Sequence, residues 1–92
     1  MDIEIEKKRV LIIEDATTKL KKIVYDGLVL AQTKIYMKSK VVALIEETKT
    51  KLEEIDTSSD IVNDTIIALK QSFLRWYYQI LSTLKKIEKQ DD

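Results

Sequence analysis

The sequence predicts an all-α fold: a long antiparallel helical hairpin with its turn at 56–60, plus an N-terminal helix. Three observations predict it. The chain has no proline and a single glycine in 92 residues, whereas strands joined by tight turns usually need more of both. Apolar residues recur at spacings of three and four over long stretches, which is the period of a helix face. Charged residues make up 35% of the chain and apolar residues 45%, enough for solvated outer faces beside apolar stripes. At this length one domain is expected, with helical segments at about 2–26, 28–55 and 60–89.

In the first segment Ile3, Val10, Ile13, Leu20, Ile23 and Val24 mostly keep helical spacing. Asp2, Glu4 and Glu6 lie at its start, where the helix dipole favours acids. "RVLIIED", Arg9 to Asp15, resembles the opening strand of a response-regulator receiver, so a strand over 9–13 competes locally. The chain is too short for that fold, and no receiver function is inferred. Gly27 decides how the segment ends. As a C′ glycine, with Lys21 and Lys22 in the last turn and Leu28 against Ile23, it reverses the chain and gives a three-helix bundle. As an interior glycine it costs the helix about 1 kcal/mol. The N-terminal arm then projects and pairs with a second chain in an intersubunit helical bundle. "GLVLAQ" has no polar loop residue after the glycine, which favours the continuous helix and association between chains.

The second segment repeats Leu28, Ala31, Ile35, Val42, Ile45 and Leu52, interrupted by Lys38 and Lys49. From Glu46 to Asp60 only Leu52 and Ile55 are apolar, so this stretch reads as the solvated tip of the hairpin. Its Glu47→Lys51 pair at i, i+4 supports the helix by a few tenths of a kcal/mol. Asp56-Thr57-Ser58-Ser59-Asp60 then supplies N-cap residues and an acid for the next first turn. The third segment carries a seam of Val62, Ile66, Leu69, Phe73, Trp76, Ile80, Leu84 and Ile87. Leu74, Tyr78 and Leu81 form a second stripe. Folding at 57–58 lays Ile45 near residues 70–73 and Val42 near Trp76.

Composition excludes several chemistries. Without cysteine or histidine the chain has no thiolate nucleophile, no zinc-thiolate site and neither the commonest metal ligand nor the commonest general base. Arg9 and Arg75 are its only arginines, and Glu46, Glu47, Glu53 and Glu54 lie in the most polar stretch. The chain is therefore read as no enzyme, with no cofactor. Asp56, Asp60, Asn63 and Asp64 cluster acids at a turn without a calcium-loop pattern, so no metal is expected. The acidic N-terminus lacks the apolar core of a signal peptide, which makes a cytoplasmic location the expectation. Leu28 to Ile45 is the longest apolar-rich run, but Lys34, Lys38 and Lys40 rule out a transmembrane helix, and no membrane partner is expected.

Net charge is zero but unevenly spread: −2 over residues 1–15, +5 over 16–45, −5 over 46–64 and +2 over 65–92. A basic middle followed by an acidic block suits head-to-tail or antiparallel self-association. Lys19, Lys22, Lys34, Lys38 and Lys40 are the candidate phosphate contacts if the basic 7–40 region belongs to a small nucleic-acid-associated regulator. The equal number of acids and the scarcity of arginine disfavour that role. The leading expectation is a non-enzymatic oligomerisation or protein-interaction module that serves assembly, scaffolding or adaptor functions. It would form a homo-oligomer, dimer first and tetramer second, with coiled-coil-like seams. Val42, Ile45, Phe73, Leu74, Trp76, Tyr77, Tyr78, Ile80, Leu81 and Leu84 are the predicted interface, because two apolar stripes exceed what one hairpin covers. The remaining alternative is an adaptor or inhibitor that presents the aromatic stripe 73–81 to another protein.

Overall fold

The computed structural model describes residues 3–90; Asp2, expected at the helix start, lies outside them. Among the described residues the chain forms α1 (Ile3–Val29), α2 (Lys34–Glu54) and α3 (Ser59–Gln90), with no strand. Every helix packs on the other two, and the α2–α3 contact is the smallest. The fold is a three-helix bundle within one chain. Residues 9–13 are helical.

The core is built from one stripe per helix. Ala16, Leu20 and Val24 of α1 meet Met37, Val41, Leu44 and Ile45 of α2 and Leu69 and Phe73 of α3. Leu20, Val24, Met37 and Leu52 have no appreciable exposure, and each such burial is worth about 1.5–3 kcal/mol. The two buried threonines satisfy themselves. Thr48 Oγ1 donates to the Leu44 carbonyl and Thr65 Oγ1 to the Ile61 carbonyl, both at 2.8 Å, so neither hydroxyl is left unpaired.

Gly27 combines features of both sequence readings. The helix runs through it, as the interior reading requires, but ends after Val29, and the chain reverses over residues 30–33. The residue in the left-handed region is Ala31, with φ 56°. Gln32 N–H donates to the Gly27 carbonyl (2.8 Å) and Ala31 N–H to the Leu28 carbonyl (3.2 Å), the two bonds of a Schellman ending. Gly27 itself is a packing glycine: a Cβ there would overlap Sδ and Cγ of Met37. The missing side chain lets α2 cross close over the end of α1. The next helix begins at Lys34, not residue 28. Thr33 caps it, its Oγ1 accepting from Tyr36 N–H at 3.1 Å.

This later start rotates α2 relative to the expected seam. The buried face is Met37, Val41, Leu44, Ile45, Thr48 and Leu52, while Ile35, Val42 and Ala31 are exposed. The hairpin turn has the expected place and chemistry. Thr57 N–H donates to the Leu52 carbonyl (3.1 Å) and Asp56 N–H to the Glu53 carbonyl (3.2 Å), with Asp56 left-handed at φ 61°. Ser58 caps α3 and accepts from Ile61 N–H at 3.4 Å.

The molecule is long and thin, 57 × 23 × 17 Å. Its radius of gyration is 15.6 Å, against about 12 Å for a compact chain of this length. Helix lengths explain the shape: α3 has 32 residues and α2 has 21, a difference of about 16 Å at the helical rise.

Candidate interaction surface

The aromatic end of α3 is shared among three environments. Phe73 is buried, and Trp76, Tyr77 and Ile80 are half-buried against the core. Trp76 turns toward α1, where Lys21 Nζ sits 4.4 Å from its ring centroid. The expected Val42–Trp76 neighbourhood is therefore replaced by Lys21–Trp76, because Val42 faces outward and lies level with Lys70 and Gln71. Tyr77 and Tyr78 meet edge-on with centroids 5.2 Å apart. Lys34 Nζ donates to Tyr78 Oη at 3.1 Å and lies 5.0 and 4.9 Å from the two tyrosine rings. Such contacts are worth about 0.5–1 kcal/mol each at exposed sites. These lysines bury stems against rings while keeping their charge in water.

The Lys34–Tyr78 bond also sets the register of the hairpin. With the turn at 55–58, Lys38 is level with Leu74 and Arg75, and Val42 with Lys70 and Gln71. On the outer flank of α2, Ile35, Lys38, Val42, Glu46, Lys49 and Glu53 follow at spacings of three and four, hence in one stripe. On the facing flank of α3, Ile67, Leu74, Tyr78 and Leu81 follow at spacings of seven, four and three, also in one stripe. Together they make one open face of the bundle. Its apolar members are uncovered: Ile35 is 81% exposed, Val42 58%, Ile67 53%, Leu74 43% and Tyr78 58%.

The predicted interface residues thus divide. Val42, Leu74 and Tyr78 lie on the open face, with Leu81 half-buried at its edge. Ile45 and Phe73 are core, and Leu84 is half-buried near the end of α3. The sequence reading missed Ile67, which stands beside the seam residue Ile66, and it assigned Ile35 to the core seam. Had the 3.6-residue count begun at Thr33, the only Ser, Thr, Asp or Asn between Asp26 and Ser39, Ile35 would have fallen on the outer stripe.

The basic residues do not converge. Lys19, Lys22 and Lys40 line the α1–α2 flank, whereas Lys34 and Lys38 belong to the α2–α3 face. Lys19 Nζ is 3.1 Å from Asp15 and 3.5 Å from Glu47, and Lys22 is 3.4 Å from Asp26. Lys40 lies over the Tyr36 ring at 4.7 Å. The Lys19 ammonium is held above its usual pKa by its hydrogen bond to Asp15, then by the charges of Asp15 and Glu47. The Glu47 carboxyl is held below the usual carboxylate range by its hydrogen bond to Lys51, 3.0 Å away, and by the charges of Lys19 and Lys51. Among the described residues, no three acidic side chains group closely enough to hold a metal ion. No described helix is long and apolar enough to cross a membrane.

No protein-family model, curated protein or solved structure matches the chain. The functional reading rests on the geometry of this surface.

Proposed function

We propose that the protein is a non-enzymatic assembly module that works as a homo-oligomer, a dimer in the first instance, through its α2–α3 face. The observation that carries this reading is the exposure of Ile35, Val42, Ile67, Leu74 and Tyr78 together on that one face. A contiguous apolar patch rimmed by polar residues is the signature of an association surface.

A different protein docking on the same stripe is the competing role, and solution mass separates the two. Nucleic-acid binding has less support, since two of its five candidate lysines hold acids and the set is split between two flanks. The test is sedimentation equilibrium of the full chain at micromolar concentration. A dimer is expected for the natural sequence. The double variant Val42→Asp, Leu74→Asp is expected to be a monomer with unchanged helical circular dichroism, because both positions lie outside the core. A natural chain that sediments as a monomer overturns the proposal.

A further inference from the structure

Building on the oligomer reading, we propose that the second copy docks antiparallel about a two-fold axis at Val42, with the Lys38 ammonium of each protomer paired to the Glu46 carboxylate of the other. Two arrangements bring the α2–α3 faces of two copies together with two-fold symmetry, and they make opposite contacts. If the axis runs along the helices, α2 of one copy covers α3 of the other at the same level. Val42 then falls on Lys70 and Gln71, Lys38 on Leu74 and Arg75, and Glu53 on Ser59 and Asp60. Val42 thus meets polar groups, and Lys38 and Glu53 meet like charges at Arg75 and Asp60, although Ile35 falls on Tyr77 and Tyr78.

If the axis runs across the helices, α2 covers α2 and α3 covers α3, each reversed. With the axis at Val42 on α2, its level on α3 is at Lys70 and Gln71, as the Lys34–Tyr78 bond requires. Val42 then meets Val42, and Ile67 meets Leu74 twice by symmetry. Lys38 meets Glu46, also twice. The register was set by one apolar residue and the hairpin geometry, and it brings Ile67 to Leu74 and Lys38 to Glu46, while Ile35 falls level with Lys49 and Tyr78 with Asn63. The electrostatics of the whole chain agree. Residues 16–45 carry +5 on the half of the bundle toward the α1–α2 turn, and residues 46–64 carry −5 around the α2–α3 turn. Parallel docking stacks like ends, and antiparallel docking stacks opposite ones.

This arrangement also accounts for a lysine among apolar neighbours. Lys38 lies on the same stripe as Ile35 and Val42, and no acid of its own chain is bonded to it in the described structure. A charged residue between two exposed apolar ones, Ile35 and Val42, fixes register and orientation through the partner it requires, at some cost in stability. Lys38 is thus a specificity-determining residue of the assembly, and its recognition element is a carboxylate of the same sequence.

A charge swap provides the test. Lys38→Glu or Glu46→Lys alone creates two like-charge contacts, and each is expected to weaken the dimer about tenfold or more. The double variant Lys38→Glu, Glu46→Lys is expected to restore it. Both side chains are exposed, so helicity should be unchanged in all three. Orientation is read separately, because the chain has no cysteine and accepts single spin labels cleanly. In the antiparallel dimer, labels on Ser59→Cys of both copies lie about 35 Å apart along α3, while Ser59→Cys of one copy approaches Ser82→Cys of the other. Close Ser59–Ser59 labels, or no recovery in the double variant, overturn the antiparallel arrangement and leave the dimer itself standing. Absence of any intermolecular coupling, with a monomer mass, overturns the oligomer reading.

Discussion

At the α1–α2 turn the left-handed residue is Ala31, and Val29 and Leu30 lie exposed beside it. At the α2–α3 turn the left-handed residue is Asp56, followed by Thr57 and Ser58. The hydrogen bonds are the same: a six-to-one bond, Gln32 to Gly27 and Thr57 to Leu52, enclosing a five-to-two bond, Ala31 to Leu28 and Asp56 to Glu53. Both turns hand over to a hydroxyl cap, Thr33 or Ser58. The difference teaches that backbone hydrogen bonding closes a helical turn, while residue type only sets its cost. Asp tolerates the left-handed region because its short polar side chain bonds locally. Ala gains nothing there. The first turn lies where it does because Met37 seats on the bare backbone of Gly27, a reason external to the turn itself.

The largest expected effect breaks that external reason. Gly27→Val puts a branched side chain into the space of a fully buried Met37 and is expected to cost about 3 kcal/mol, the upper range for overpacking. Urea unfolding at fixed protein concentration measures it. Met37→Ala in the same chain should recover part of the loss, giving a coupling that a merely helix-propensity effect at Gly27 would not show. An unchanged midpoint for Gly27→Val would show that the first turn has no such anchor.

A middle-sized effect sharpens the contrast at the left-handed positions. Ala31→Gly should stabilise the fold by about 1 kcal/mol, the left-handed cost less the added freedom of the unfolded chain. Asp56→Gly should yield only a few tenths of a kcal/mol, since Asp already fits. Equal gains in thermal unfolding would mean that Ala31 and Asp56 carry equal strain in the left-handed region.

The smallest effect lies on the approach to the second turn, where Glu47 receives Lys51 from its own helix and Lys19 from α1. Because the Glu47 carboxyl is lowered in the fold, its contribution is complete above the ordinary carboxylate pKa and fades as pH falls through the lowered value. Lys19 is raised, so its contribution is complete below the ordinary lysine pKa and is lost as pH rises through the raised value. All three side chains are largely solvated, so the network is a minor term. Glu47→Gln should lower the melting temperature slightly at neutral pH and leave it unchanged near pH 2. An equal shift at both would mean that charge is not the cause.

The polar turn was legible residue by residue: N-cap types at 57–59, an acid at Asp60 and a drop in apolar content from Glu46 onward. The apolar turn was not, because its glycine serves packing and its left-handed residue is an alanine. That one displacement propagated. Starting the second helix at 28 instead of 34 placed Ile35 and Val42 in the core seam and left Met37 and Val41 out of it. On α3, whose start was placed within one residue, the seam residues Val62, Leu69 and Phe73 are buried and the second stripe Leu74 and Tyr78 is exposed.

By itself the sequence determined an all-α chain, the hairpin tip and a surplus of apolar surface, because periodicity, caps and composition are local and countable. Only the tertiary structure decided where α1 ends and which residues carry the surplus. Both depend on how closely two helix backbones approach, and that distance is set by Gly27 and Met37 across the bundle, out of reach of any local pattern.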